Sequence, residues 1–426
     1  MSKYIYTMSN YRAIKKAEII IDGITVLAGE NGTGKSTLSR WLYGVTKVLC
    51  NYEAMIENDA RKSLKSLLQQ IERSRYFLRF PLSQNSWSEM LRFNSFPDDL
   101  SMMKKYVLRI IDLYQDALLS YFERDRKNDI LVKRLATLFG LENESISDPH
   151  LLVDRICDQL RTSTEFIVNK AEESKDERRI ETFCELLSEL DEPLESGTVD
   201  VSLVEDDVEL IESEHFNPAL NIHRVIYYKT YELLDYLDRG SDFHDYLERP
   251  LGKINPDEML LVKMLNQILD GKIGLSKGEI LSERQLYYRR GDGLEIPLRQ
   301  AATGLVSFSF LARLLENGYL REGALLIVDE PEAHLHPKWI VEYARMLVFL
   351  QKRLGLKILL SSHNPDMIAA IDAITRKEGV SEHTNFYFAQ SCPDDKHQYV
   401  FKKLNSIGEI FDSFNVAITR IQEYGE

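Results

Sequence analysis

No stretch constrains the fold of this chain more than Gly29-Glu30-Asn31-Gly32-Thr33-Gly34-Lys35-Ser36-Thr37, which reads as a glycine, four residues, then Gly-Lys-Ser. Residues 17–21 and 24–28 precede it as β-rich runs parted by Asp22-Gly23, a pair that favours a two-residue hairpin turn. Leu38, Trp41, Leu42, Val45, Val48 and Leu49 follow at helical spacing. A strand, this loop and a helix in that order make an anion cradle, because the glycines let successive N–H groups turn inward and the helix adds its positive end. The candidate phosphate-binding residues are therefore Gly29, Asn31, Gly32, Thr33, Gly34, Lys35, Ser36 and Thr37. Lys35 would reach the β- and γ-phosphates of a nucleotide, and Ser36 would offer a hydroxyl to Mg²⁺, a cation that prefers hard oxygen ligands.

The rest of the composition narrows the class. With 426 residues, 44% of them hydrophobic, the chain can bury a large core and more than one structural unit. No apolar run approaches a membrane span and the start, Met1-Ser2-Lys3-Tyr4, lacks a signal-peptide pattern, so a cytoplasmic protein is expected. The four cysteines (Cys50, Cys157, Cys184, Cys392) have no metal or redox spacing and read as reduced thiols. A net charge of −14 disfavours broad adhesion to nucleic acid, although a local basic groove remains compatible with it.

Along the chain, residues 1–50 form the first half of a nucleotide-binding lobe. Tyr11 and Arg12, just upstream of its first expected strand, read equally as nucleotide contacts or as surface residues. Residues 51–222 change character to charged stretches with helical apolar spacing, as in Leu64, Leu67, Leu68, Ile71 and in Val107, Ile110, Ile111, Tyr114. This is a helical insertion, and prolines such as Pro149 and Pro218, with a drifting apolar register, argue against a sustained coiled coil. Residues 191–215 are acidic and expected to be flexible or exposed. A strand at Val225-Ile226-Tyr227-Tyr228 marks re-entry, giving an α/β head from 1–50 and 223–426 around the 51–222 insertion.

Ala324-Leu325-Leu326-Ile327-Val328 is a continuous apolar run of the kind buried on both faces in a parallel sheet, and it ends in Asp329-Glu330-Pro331. Ligands of open α/β sheets bind at the carboxyl ends of strands, so both carboxylates arrive where the phosphates belong. Asp329 is the candidate to hold Mg²⁺, directly or through a water, and Glu330 to polarise the attacking water. Lys357-Ile358-Leu359-Leu360 reads as a second buried strand that delivers Ser361, Ser362 and His363 to the same edge, where His363 would contact the γ-phosphate or orient water. His334 and His336 suggest a metal pair less than a loop at a subunit contact, since no further ligand has suitable spacing. Thr303 and Gly304, opening an amphipathic helix, are either a second anion site or an ordinary cap.

Together these motifs resemble the ABC-type ATPases of the SMC and RecF kind, and most of all the bacterial AAA-like ATPases of antiphage and abortive-infection systems. The resemblance is carried by residues 29–37, by Ala302-Thr303-Gly304-Leu305-Val306-Ser307-Phe308, by residues 326–337 and by Leu360-Ser361-Ser362-His363-Asn364-Pro365. It covers 1–50 and roughly 223–390, not the insertion. It implies a P-loop NTPase of ABC type with a mixed sheet, binding ATP between two subunits. Thr303 and Gly304 would then face the partner's phosphate loop, at a position that departs from the Leu-Ser-Gly-Gly-Gln of transporters. Tyr228 to Thr230 stand where a glutamine loop is expected. The overcoming-lysogenization-defect nucleases, which share this ATPase, continue into a Toprim nuclease. The roughly 50 residues after the His363 region are too few for one, so any nuclease or toxin is expected on a separate chain. The resulting expectation is a slow ATPase that self-associates and serves as sensor or scaffold, controlling a separate effector and touching no membrane. A RecF/SMC-like DNA-maintenance ATPase is the alternative, and an ATP-binding scaffold with negligible turnover a third reading.

Overall fold

The apolar runs that show no polar alternation lie side by side at the middle of a sheet, where both faces are covered. The computed structural model describes residues 2–78, 97, 99–124, 129–142, 148–190, 200–235, 242–275 and 286–411. In chain order its strands are β1 (Tyr4–Tyr11), β2 (Ile14–Ile21), β3 (Ile24–Ala28), β4 (Asp200–Glu205), β5 (Val208–Glu209), β6 (Arg224–Lys229), β7 (Gly271–Leu275), β8 (Leu286–Arg290), β9 (Glu295–Pro297), β10 (Ala324–Asp329), β11 (Lys357–Ser362), β12 (Thr384–Ser391) and β13 (Tyr399–Leu404). Ten of them form one mixed sheet in the order β5-β4-β1-β2-β13-β12-β3-β11-β10-β6, and β7, β8 and β9 form a small antiparallel sheet. The run β12-β3-β11-β10-β6 is parallel throughout. β3, β10 and β11 are buried along their whole length, which is why they read as unbroken Val, Ile and Leu rather than as alternation.

By contacts the chain divides into Met1–Cys50 with Cys184–Glu426, and Asn51–Phe183. The second unit is helical. Besides most of α1 (Lys35–Leu78) it holds α2 (Leu100–Arg124), α3 (Asp129–Leu138) and α4 (Pro149–Glu177). Leu64, Leu68, Ile71, Val107, Ile110, Ile111 and Tyr114 are buried in it, as their helical spacing requires. The remaining helices are α5 (Ile180–Ser188), α6 (Asp242–Glu248), α7 (Pro256–Leu269), α8 (Thr303–Glu316), α9 (Pro337–Leu354) and α10 (Pro365–Glu378). α9 and α10 carry the full set of end signals: an N-cap side chain from His336 and Asn364, proline in the first turn, and Gly355 and Gly379 in left-handed conformation at φ 66° and 72°.

Three expectations need correction. The return from the insertion comes at residue 184 and not at 223, because residues 200–209 are strands of the main sheet. The acidic stretch is paired into the sheet at β4 and β5, with Asp206, Asp207, Glu209, Glu212 and Glu214 exposed as expected and Glu205 buried, while 191–199 lies outside the described residues. β4 pairs antiparallel with β1 from Tyr4↔Glu205 to Ser9↔Asp200. Its last carboxylate, Glu205, is 1% exposed. Glu205 accepts hydrogen bonds from the Tyr4 hydroxyl, from the Leu220 and Asn221 backbone N–H groups at 2.7 and 2.8 Å, and from Asn221 Nδ2 at 2.7 Å. A buried carboxylate with so many donors is a tie and not a solvating charge. Glu205→Ala would remove the shared acceptor of the buried Tyr4 hydroxyl and of the Leu220 and Asn221 N–H groups, and should cost about 1–3 kcal/mol of stability. An unchanged urea midpoint for this variant would refute that role.

The second correction concerns Asp22-Gly23, which does not close a hairpin: β2 and β3 are separated in the sheet by β13 and β12. β3 is buried on both faces and takes the parallel slot between β11 and β12, leaving β2 to pair with β1 and β13. Gly23 is needed there for close approach, since a Cβ would stand 2.3 Å from the His383 carbonyl oxygen. The third is β1 itself, a strand absent from the sequence reading. It places Tyr11 at a strand end and Arg12 in the turn to β2.

Candidate functional site

Strand register assembles the site. Ala28 of β3 stands opposite Ser362 of β11, Ser361 opposite Asp329 of β10, and Asp329 opposite Lys229 of β6. Four parallel strands thus end level, and each hands its next residues to the same rim. β3 hands over residues 29–34, which turn directly into α1. Gly32 and Gly34 have φ of +82° and +96°, the region that glycine tolerates. A Cβ on Gly34 would also come within 2.7 Å of Ile14 Cγ1, whereas one on Gly32 meets nothing within 4 Å. The loop is tight against β2 on one side and open on the other. The Thr33 hydroxyl donates to the Glu30 carbonyl at 2.9 Å, closing the turn internally. Asn31 is exposed, and Ser36 and Thr37 are half-buried on the first turn of α1.

Lys35 is 5% exposed, and its ammonium donates to the Gly29 and Glu30 carbonyls at 2.8 and 2.7 Å. Burial pushes its pKa down, while Glu330, Asp329, Glu332 and Glu30 push the other way. One buried cation is thus set among several carboxylates.

Those carboxylates come from the end of β10. Asp329 is fully buried; its Oδ2 accepts from the Tyr227 hydroxyl at 3.1 Å, while Oδ1 has no hydrogen-bond partner among the described residues. Glu330 has φ +51°, a left-handed conformation rare for a non-glycine residue, and is held by its N–H on the Ser361 carbonyl at 2.8 Å. Its side chain is 28% exposed. Pro331 follows, and then Glu332, whose side chain is only 3% exposed. Glu332 Oε1 accepts from the Ser362 hydroxyl at 2.8 Å and the His363 backbone N–H at 3.1 Å, and Oε2 has no partner among the described residues. Burial raises the Glu332 pKa. His363 sits with Nδ1 3.5 Å from Glu332 Oε1 and 3.8 Å from Glu330 Oε1.

The structure thus brings Asp329, Glu330 and His363 to one rim, with Lys35 in electrostatic contact with both carboxylates. Thr303 and Gly304 are placed differently. They open α8 with no side-chain cap at Ala302; Thr303 is exposed, and Gly304 is packed so closely that a Cβ would stand 3.1 Å from Trp339 and 3.2 Å from Leu335. Gly304 thus packs on α9 and the segment before it. His336 caps α9, its Nδ1 accepting from the Lys338 N–H at 3.3 Å, and His334 is exposed with φ +62°. Among the described residues, no three His, Cys, Asp or Glu side chains are grouped to hold a metal.

Sequence reasoning missed two residues. Glu332 was visible as the second acid of Asp-Glu-Pro-Glu, but spacing alone does not say that it turns inward toward β11. Tyr227 hides inside an apolar strand, where only the sheet order shows it beside Asp329. In the stretch where a glutamine loop is expected, Tyr228 points into the core and bonds the Tyr343 hydroxyl at 2.7 Å, and Thr230 is buried with its hydroxyl unpaired among the described residues.

The arrangement fits a magnesium–nucleotide ligand. A glycine cradle open on one side, a buried ammonium and a buried carboxylate oxygen lacking a partner are the donor set that polyphosphate and a hard cation require.

Residues 24–369 match the family described as "AAA domain, putative AbiEii toxin, Type IV TA system". The chain belongs to this family. It is an AAA-like P-loop ATPase, α/β with a mixed sheet. Over 72 residues it is also 36% identical to the energy-coupling factor transporter ATP-binding proteins EcfA2 and EcfA3 of Clostridium perfringens, 17% of this chain and 25% of theirs. The chain thus spans about a quarter of the length of those curated relatives. Among solved structures, the SMC head domain from Thermotoga maritima is 10% identical with a TM-score of 0.39, covering 95% of this chain and all of that one. The Smc head of Pyrococcus furiosus bound to the C-terminal domain of ScpA is 11% identical with a TM-score of 0.34, covering both chains fully. No helix among the described residues of this AAA-family chain is long and apolar enough to cross a membrane.

Proposed function

We propose that this chain binds and hydrolyses ATP with Mg²⁺ and acts as the sensor or scaffold subunit of an antiphage defence complex that controls a separate nuclease or toxin. The observation that supports the chemistry is the level ending of β3, β11, β10 and β6, which puts Lys35, Asp329, Glu330 and His363 on one rim. Residues 29–37 hold the polyphosphate through backbone N–H groups, and Lys35 exchanges its two carbonyl partners for phosphate oxygens. Ser36 and Oδ1 of Asp329 would hold Mg²⁺, which would supply charge screening to the phosphoryl group. Tyr227 keeps Asp329 oriented. Glu330 aligns water, and His363 contacts the γ-phosphate or orients that water. The defence role is supported by the toxin–antitoxin family description and by a net charge of −14, which does not favour nucleic acid. Magnesium-dependent phosphate release by the purified chain tests the chemistry, and co-purification from its native operon tests for the effector.

The same reading has each ATP bound between two copies, with Thr303 and Gly304 supplied in trans. Gly304 is too crowded for a clean probe, so the test pairs Lys35→Ala with Thr303→Asp, an exposed first-turn position that tolerates an acid. In a mixed dimer one site collects both lesions and the other none. Random pairing leaves roughly a quarter of sites intact. Activity near a quarter of the natural level from two silent parents is expected. No recovery, with exchange verified by differently tagged chains, would refute independently working shared sites.

A further inference from the structure

We propose that Glu332 is the positioning residue of this site: it holds the side-chain proton of His363 on Nδ1 and so turns Nε2, as a proton acceptor, away from the carboxylates. This rests on the ATPase reading above for its consequence in turnover, but the geometry stands by itself. Glu332 is the buried acid of the pair that faces His363, 3% exposed against 28% for Glu330, and its Oε1 is the nearer to Nδ1 at 3.5 Å against 3.8 Å. That distance lies just outside a formed hydrogen bond, and a small ring rotation closes it.

What makes Glu332 a fixed point is the chain of bonds behind it. Asn364 N–H donates to Ser362 Oγ at 3.1 Å, so the Ser362 proton is free to point at Glu332 Oε1, 2.8 Å away. The His363 backbone N–H donates to the same Oε1 at 3.1 Å. Asn364 Oδ1 in turn accepts from Met367 N–H at 3.1 Å, pinning the turn to the start of α10. The carboxylate is thus aimed by the end of β11 and the start of α10, whereas the Glu330 side chain has greater solvent access. The charged groups around the imidazole are Glu330 and Glu332 beyond β10, with Lys35 of the phosphate loop beside both acids. Neutral imidazole in water prefers its proton on Nε2; a carboxylate fixed opposite Nδ1 reverses that choice, as an orienting acid does for a histidine base. The 41% exposure of the His363 side chain leaves the ring accessible to substrate.

A purely structural Glu332 would only tie the end of β11 through Ser362 and the His363 backbone. The test separates the two roles on the full chain labelled with ¹⁵N-histidine, using His363→Gln to assign the signal. The natural chain should show the neutral imidazole of His363 in the Nδ1–H form. Glu332→Ala should move it toward the Nε2–H form, and Glu332→Gln, whose neutral amide oxygen is a weaker acceptor than the carboxylate, should move it part of the way. Steady-state hydrolysis should fall about 10- to 100-fold in kcat for Glu332→Gln, with KM within about twofold. In a His363→Gln background the same change should cost less than about threefold. An unaltered tautomer in both Glu332 variants, or an equal loss with and without His363, would overturn the proposal. If the natural chain releases no phosphate at all, the ATPase reading fails instead, and the tautomer measurement still decides the role of Glu332. Should Glu332→Ala not fold, Glu332→Gln alone carries both measurements.

Discussion

Glu330→Gln is expected to bind MgATP as the natural chain does and to hydrolyse it about 10²- to 10⁴-fold more slowly. The amide keeps the volume of the side chain and removes the charge that aligns water. Binding should survive because Lys35 and the glycine cradle are held in place without a hydrogen bond to the Glu330 carboxylate: Lys35 donates to the Gly29 and Glu30 carbonyls. The fold should survive as well, since Glu330 is anchored through its backbone, N–H to the Ser361 carbonyl, and its side chain is partly in solvent. Its left-handed φ of +51° belongs to the backbone and persists in the variant, where the amide side chain pays the same conformational cost. Phosphate release in single and multiple turnover, with nucleotide affinity measured separately, checks the expectation. Hydrolysis at the natural rate would show that another group positions the water, and would take the catalytic assignment from Glu330.

Lys35→Ala should abolish binding at ordinary nucleotide concentrations, weakening affinity by about 10²- to 10³-fold, or about 3–4 kcal/mol. Two effects add with the same sign. The ammonium no longer donates to phosphate, and the buried cation among Glu330, Asp329 and Glu332 disappears, so an incoming anion meets uncompensated carboxylates. Lys35→Arg should rescue little, because a planar guanidinium cannot occupy the small site between the Gly29 and Glu30 carbonyls. The readout is calorimetric titration, together with the thermal upshift that MgATP gives the natural chain. At a hundredfold excess over Kd that upshift corresponds to about 2.7 kcal/mol, and it should vanish in the variant. An affinity within threefold of natural would contradict the placement of Lys35 against the phosphates.

What the chain says about itself before folding is local. The spacing of Gly29, Gly32, Gly34 and Lys35, the apolar runs ending at Asp329 and at Ser362, and the helical periodicity of Leu64, Leu68 and Ile71 each lie within a few residues. Backbone sterics, strand alternation and the helical turn act over that range, so the strand–loop–helix unit and the buried strands were legible without coordinates. Tertiary structure decided everything that depends on which strands become neighbours. β4 joins β1 across long sequence separations, 195 at Thr7–Ser202 and 201 at Tyr4–Glu205, and that pairing turns Glu205 from one acid in a charged stretch into a buried acceptor. β3 leaves β2 despite the Asp22-Gly23 turn between them, because a strand apolar on both faces gains more from burial between β11 and β12 than a two-residue hairpin can return. Tyr227 reaches Asp329, and Glu332 reaches Ser362 and His363, across 102 and about 30 residues. Spacing in the sequence specifies the types of residue that phosphate chemistry needs; the direction in which each carboxylate points is settled by cross-strand register and by which oxygens find donors, and those exist only once the sheet is formed.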